Sequence, residues 1–208
     1  MISQRERLRR ASRRRREQEK QELRQAILAA SAELILERGY DGFSLRQVAE
    51  RIGYSATTIY LYFRDKDDLV GAVVAEGFAR FLRRLEAVRT ADPLARLGEL
   101  GRAYVRFGLD NPVFYQLMFM QRADLLARAR GPESPPEGAS FRVLLDAVQA
   151  AIDAGVLRPG DARAYSGALW AMVHGIVALA IAMPSIGRAG AEQLTEVALG
   201  MASRGLAP

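Results

Sequence analysis

The stretch FSLRQVAERIGYSATTIYLYFRDKDDL, residues 43–69, decides how the chain is read. It holds two short apolar stripes separated by a glycine. Ser44 opens the first, with Gln47 three positions on, so a capping box is available, and Leu45, Val48, Ala49 and Ile52 recur at helical steps. Gly53 stops that helix, and Ser55 is placed to cap a third one running to about Phe63. On a helical wheel Ala56, Ile59 and Phe63 fall together as a core face. Thr57, Thr58 and Leu61 point away from it, flanked by Tyr60 and Tyr62. An ordinary solvated face accounts poorly for an outward leucine among aromatics and hydroxyls. Hydroxyls bond phosphates or base edges, a tyrosine OH reaches phosphates, and an apolar side chain meets a thymine methyl. Lys66 begins the next helix beside the same face. Double-stranded DNA is the partner that fits this chemistry.

Working outward, Leu23, Ala26, Ile27, Ala30 and Leu34 give a longer preceding helix one apolar face, ending near Gly39. A long helix followed by two short ones joined by a glycine turn is a helix-turn-helix layout. The remainder is also helical, with no alternating run that reads as a strand. Helices are expected at about Lys66–Arg89, from Asp92-Pro93, after the Asn111-Pro112 break, and at Ser140–Asp153, Asp161–Met183 and Ala189–Arg204. The stretch GPESPPEG, residues 131–138, reads as a loop. The fold class is all-α.

Charge is unevenly placed. Residues 1–20 hold nine Lys/Arg and three Asp/Glu, so they carry the whole net charge of +6, and the rest balances at 21 of each sign. A basic arm of this kind suits a polyanion. With no glycine or proline before Gly39, it either extends the first helix or stays disordered. Arginine supplies all the basic residues except Lys20 and Lys66. The absence of cysteine excludes disulfides and thiolate metal sites and fits a reducing cytoplasm. No apolar run follows the early arginines, so no signal peptide is expected. Ala164–Gly187 carries no formal charge and is long enough to span a bilayer. Its Ser166, Gly167, His174, Gly175 and Pro184 make a buried helix of a soluble bundle the better account, with no membrane partner.

Residues 43–69, with G-F-S-L-R-Q-V-A, the glycine turn and T-I-Y-x-Y-F-x-x-K-x-x-L, resemble the DNA-binding signature of the tetracycline-repressor (TetR) family of bacterial regulators. The resemblance implies an arm (1–20), a helix-turn-helix domain (21–66) and a helical ligand-binding and dimerisation domain (67–208). It implies that Arg46, near the start of helix two, reaches the backbone or a base, with Ser44 and Ser55 at the same surface. Thr57, Thr58 and Leu61 would meet the major groove, Tyr60 and Tyr62 the backbone or groove edge, and Lys66 a phosphate. The family often has histidine where Tyr62 stands.

Trp170 to Gly175, W-A-M-V-H-G, resembles the Trp-x-x-x-His-Gly signature of one TetR C-terminal subfamily. Trp170 and His174 share a helix face. A core tryptophan and a satisfied buried histidine, with Gly175 allowing close helix contact, stand against direct ligand contact. The aromatic run Tyr104, Phe107, Phe114, Tyr115, Met118 and Phe119 is either core or the lining of a pocket for a small apolar or amphipathic effector. Charged pairs on helix four such as Glu76 with Arg80 read as a solvated face. A lone histidine without cysteine makes no zinc site, and no metal or cofactor is expected.

These readings converge on a cytoplasmic, ligand-responsive repressor that binds a palindromic operator as a homodimer. Pairing is expected through the last two long helices, because Ala164–Met183 is apolar nearly all round and Leu194, Val197, Ala198 and Met201 form a further stripe. An enzyme is the rival class, but no nucleophile elbow, phosphate loop or metal-ligand cluster is present. A ligand-independent architectural DNA binder would use the same helix-turn-helix without needing residues 90–208 to enclose a cavity.

Overall fold

The computed structural model describes residues 4–120 and 138–208, and every regular element among them is helical. In chain order these are α1 (Gln4–Gly42), α2 (Leu45–Arg51), α3 (Ala56–Tyr60), α4 (Lys66–Glu86), α5 (Pro93–Asp110), α6 (Pro112–Phe119), α7 (Ala139–Asp153), α8 (Ala162–Ala182) and α9 (Gly187–Gly205). A 3-10 turn, Pro184–Ile186, precedes α9. The expected loop at 131–138 lies, apart from Gly138, outside the described residues. The chain divides into two compact units, the first ending at Glu76 and the second holding Gly77–Met120 together with residues 138–208.

In the first unit, α1 begins in the basic arm and continues as helix, exposed on all sides, through residues 10–22. Its buried face is broader than the expected stripe. Ile27, Ala30 and Leu34 are joined by Leu28, Ala32 and Ile35, while Leu23 is half-buried and Ala26 exposed. Leu23 and Ala26 instead line an open surface cleft with Glu19, Glu22, Ile52 and Tyr54. Helical geometry breaks at Gly39, whose φ of 71° suits glycine, and resumes for one short turn to Gly42. Ser44 caps α2 by accepting from the Gln47 N–H at 3.3 Å, and its hydroxyl bonds the Gln47 side-chain oxygen at 3.2 Å. Leu45, Val48 and Ala49 are buried, and Gly53 at φ 74° ends the helix. Arg51 clamps α2 to α1 through two parallel bonds to the Glu37 carboxylate, at 2.8 and 2.7 Å.

In the second unit α5 packs against α7, α8 and α9, and α8 against α7 and α9. Asp92 caps α5 and Asp161 caps α8, each accepting a main-chain N–H. Glycines mark the close crossings. A Cβ on Gly77 would lie 2.7 Å from the Met118 sulfur, and one on Gly101 2.8 Å from a Leu199 methyl. Arg102 of α5 holds Glu196 of α9 in a bidentate pair at 2.6 and 2.8 Å. Asp110 accepts from Arg188 at 2.6 Å and Arg84 at 3.5 Å. Glu76 and Arg80 are half-buried, contrary to the solvated face expected of them, because the Arg80 guanidinium lies 4.7 Å from the Phe114 ring centre.

α8 is long and apolar enough to cross a membrane by length and composition. It is buried on one face only, through Ala162, Ser166, Val173, Ile176 and Val177. The expectation of a fully buried helix is thus met by half. Leu179 and Met183, and on α9 Leu194, Val197 and Met201, are exposed.

The Arg51–Glu37 clamp sets an acid-dependent contribution. Hydrogen bonding from Arg51 holds the Glu37 carboxyl below its ordinary value of 4.5. A carboxyl lowered in the folded state stabilises fully above that ordinary value and loses its contribution as pH falls through the lowered one. Arg51→Leu is therefore expected to reduce the urea midpoint at neutral pH. The deficit against the parent should shrink once the pH drops below the carboxylate range. A deficit independent of pH would leave the clamp without this role.

Candidate functional site

The outward face of the helix-turn-helix is built by two anchors. Ile59 is fully buried and Phe63 nearly so, which fixes the rotation of α3. Ser55 starts the helix by accepting from the Thr58 N–H at 3.2 Å. Regular helix ends at Tyr60, earlier than Phe63, and the chain closes with Leu61 N–H to Thr58 O and Phe63 N–H to Ile59 O. Leu61 is left 79% exposed and Tyr60 58% exposed. Thr57 is also exposed, and Thr58 and Tyr62 are half-buried. These side chains lie together on one turn and a half.

The other expected contacts already have partners within the unit. Ser44 and Ser55 use their oxygens as caps, and the Ser55 and Thr58 hydroxyls are 3.0 Å apart. Arg46 is exposed and pairs with Glu50 four residues on, at 3.2 Å. Lys66 has an arrangement that the motif does not announce. Its ammonium lies 4.5 Å from the Tyr40 ring centre and 4.6 Å from that of Phe43.

In the second unit the aromatic run separates into two groups. Phe107, Phe114 and Met118 are buried packing residues: Phe107 stacks obliquely on Phe81 at 5.0 Å, and Phe114 and Met118 lie over Gly77. Tyr104, Tyr115, Phe119, Trp170 and His174 come together. The Trp170 indole N–H donates to the Tyr104 hydroxyl at 3.1 Å, the two tyrosine hydroxyls are 3.0 Å apart, and the Tyr115 hydroxyl lies 2.6 Å from His174 Nδ1. Indole can only donate, so Tyr104 accepts from Trp170, while either tyrosine can donate in the bond between them and the Tyr115–His174 bond runs to or from Nδ1 according to the imidazole tautomer.

Burial pushes both tyrosine hydroxyls up and the imidazole down from their ordinary values, so the network is uncharged. Phe119 and His174 are only part-buried and Trp170 is exposed, and Phe141 meets Trp170 edge-on at 6.3 Å. His174 is therefore satisfied at Nδ1 without being core. Among the described residues Gly175 serves no close helix contact, since a Cβ there would meet none of their atoms within 4 Å. Phe81 was not legible as part of this cluster, yet it touches Tyr104, Phe107 and Phe119. Its signal was the three-residue step from Phe78 on α4.

Removing the Tyr115 hydroxyl deprives Nδ1 of its shortest bond and Tyr104 of a partner. Tyr115→Phe is expected to cost about 1–3 kcal/mol in urea unfolding. Because the His174 imidazole is lowered, its contribution to stability is present above the ordinary value of 6.5 and is lost as pH falls through the lowered one. The same titration on His174→Phe should lack that acid limb. If both proteins trace parallel curves, the imidazole is not held in the neutral form.

Comparison with known proteins agrees with both units. Residues 27–73 match the family model of bacterial regulatory proteins of the tetR family, and residues 97–201 match that of the tetracyclin repressor-like C-terminal domain. An HTH-type transcriptional repressor of Mycobacterium tuberculosis is 33% identical over 127 residues, covering 60% of this chain and 68% of that protein. The fatty acid metabolism regulator protein of Bacillus subtilis is 35% identical over 60 residues, 29% of this chain, and the match spans only 31% of that relative's length. A tetR-family regulatory protein from Rhodococcus RHA1 superposes with a TM-score of 0.71 over 88% of this chain and 96% of its own, at 20% identity, which speaks for the fold. With one model covering half of the sequence and the other its helix-turn-helix, the chain belongs to the TetR family of DNA-binding transcriptional regulators.

Proposed function

We propose that this regulator is a ligand-responsive repressor, acting in the cytoplasm as a homodimer on a palindromic operator. The observation that carries the DNA reading is the outward face of α3, where Leu61 and Tyr60 are exposed beside Thr57 while Ile59 and Phe63 hold the helix from behind. Two copies related by a twofold would present α3 to successive major grooves. Thr57, Thr58 and Leu61 would read base edges, and Arg46, Tyr60, Tyr62 and Lys66 would contact the backbone or groove edge. Ser44 and Ser55 would act there mainly by shaping the helix starts.

The effector is an apolar or amphipathic small molecule received beside the Trp170–Tyr104–Tyr115–His174 network. The part-buried ring of Phe119 and the exposed one of Trp170 supply apolar surface, and the neutral network supplies hydrogen bonding without a fixed charge. Ligand lowers operator affinity if it binds the DNA-incompetent conformation more tightly than the competent one. Sequencing the fragments that the purified protein selects from genomic DNA tests the central claim: a recurring inverted repeat supports it, and unselected fragments refute it.

Recognition and charge should separate experimentally. Tyr60→Ala leaves Ile59 and Phe63 in place, so it is expected to cost on the order of 1–3 kcal/mol on the selected sequence while the protein stays folded. Deleting residues 1–16 removes eight arginines and one glutamate. That deletion should weaken binding to all sequences and flatten the logarithmic salt slope by about 0.9 for each phosphate that the arm neutralises. Base preference should survive it. An unchanged slope makes the arm a solubilising tail.

The dimer reading rests on Leu194, Val197 and Met201, which form an uncovered stripe on α9, and on exposed Leu179 and Met183 at the end of α8. Sedimentation should show a dimer at micromolar concentration and a folded monomer for Val197→Glu combined with Met201→Glu. A parent protein that sediments as a monomer overturns the proposal.

A further inference from the structure

Lys66 is the first residue of a 21-residue helix, where the helix dipole disfavours a cation. Its neighbours Asp65, Asp67 and Asp68 are the obvious partners for an ammonium, yet each has another engagement. Asp65 accepts the Asp68 main-chain N–H at 2.8 Å, Asp68 accepts that of Arg64 at 3.0 Å, and Asp67 accepts the Tyr40 hydroxyl. The ammonium sits instead in a corner made by two rings. Tyr40 and Phe43 are 6.3 Å apart at 78°, and Nζ is nearly equidistant from both. We infer that Tyr40 and Phe43 are positioning residues that hold the Lys66 ammonium ready for a DNA phosphate, an inference that rests on the phosphate role proposed for Lys66.

Two physical consequences follow from rings in place of a carboxylate. An aromatic face attracts the cation without cancelling its charge, so a phosphate still meets a full positive charge. Holding the flexible side chain before DNA arrives also reduces the entropy lost on binding. The choice of lysine fits the corner. This chain uses arginine at every basic position except Lys20 and Lys66. Arg24, Arg80 and Arg163 also lie over rings. A compact ammonium is a point charge that two rings set at a steep angle can share, whereas a guanidinium stacks as a plane. Phe43 is buried and fixed by the core, whereas Tyr40 is half-buried and is tied by its hydroxyl to Asp67.

The test uses the full chain and a random-sequence duplex, since a phosphate contact does not require the operator. Binding is measured across a salt series for the parent, Lys66→Gln, Lys66→Arg, Tyr40→Leu and Tyr40→Phe. Lys66→Gln should weaken binding and flatten the salt slope by about 0.9. Tyr40→Leu should move most of the way to that result, Tyr40→Phe, which keeps the ring but frees Asp67, should lie between Tyr40→Leu and the parent, and Lys66→Arg should bind more weakly than the parent despite its charge. With two lysines in the chain, lysine labelled with carbon-13 at the ε position gives two signals. One should be displaced upfield by the rings in the parent and in Tyr40→Phe, and should return to the ordinary position in Tyr40→Leu. A parent slope in Lys66→Gln refutes the phosphate role itself. A flattened slope in Lys66→Gln with a parent slope in folded Tyr40→Leu refutes the positioning role alone. Should Tyr40→Leu fail to fold, the parent spectrum decides, and two lysine signals at ordinary positions overturn the inference.

Discussion

The DNA-binding unit depends on the burial of Ile59 and Phe63. α3 is five residues long, far below the length at which a helix persists on its own, because nucleation fixes several dihedrals for little return. A cap at Ser55 contributes about 1 kcal/mol. Truncating a fully buried isoleucine costs about 2–5 kcal/mol. The anchor, not the cap, therefore holds α3 in place. It also fixes the rotation of the helix: with Ile59 and Phe63 turned inward, Thr57 and Leu61 have only the outer side left to occupy. The face proposed to read DNA is thus set by which two positions are apolar enough to be buried.

That relation explains how much could be read from the sequence. Local signals sufficed for α2 and α3, where Ser44, Gly53, Ser55 and the apolar steps between them lie within twenty residues. The outward placement of Leu61 followed from the same wheel. Local signals overreached at Ala26, which keeps helical step with Leu23 and Ala30 but is exposed. They were silent wherever a contact joins distant positions. The corner around Lys66 joins it to residues 23 and 26 positions upstream, and the bonds of Tyr104 to Trp170 and His174 span 66 and 70 residues. No periodicity encodes such pairs. The aromatic run between Tyr104 and Phe119 looked uniform in sequence and is divided by the packing into Phe107, Phe114 and Met118 as core, with the rest grouped around His174.

Both units keep charge at the surface, as Arg102 with Glu196 does in the second, and they differ in the network that the second takes inward. In the first, charge stays at the surface and is paired in water, as in Arg51 with Glu37 and Arg46 with Glu50. In the second, polar atoms go inward but without charge. Placing an ion at Tyr115, which is fully buried, would carry a desolvation penalty that no counter-ion among the described hydrogen-bond partners offsets. The four neutral groups Trp170, Tyr104, Tyr115 and His174 satisfy one another at lower cost. A site of this kind discriminates by shape and by a hydrogen bond, which suits the apolar or amphipathic effector proposed above.

The exposed apolar residues of α8 and α9 raise the choice between a lipid and a protein neighbour. α8 alone, long and uncharged from Ala164 onward, does not decide it. α9 does more. Leu194, Val197 and Met201 form a stripe three side chains long, bordered by exposed Gln193 and Arg204, and the same helix carries exposed Glu192 and Glu196. A bilayer would have to bury those charges along with the stripe, at a cost of roughly 2.5–3.5 kcal/mol each near its centre. A second helix presenting the same stripe covers the apolar residues and leaves the charges in water. The narrowness of the stripe, more than its hydrophobicity, therefore favours a second copy of the chain as the partner.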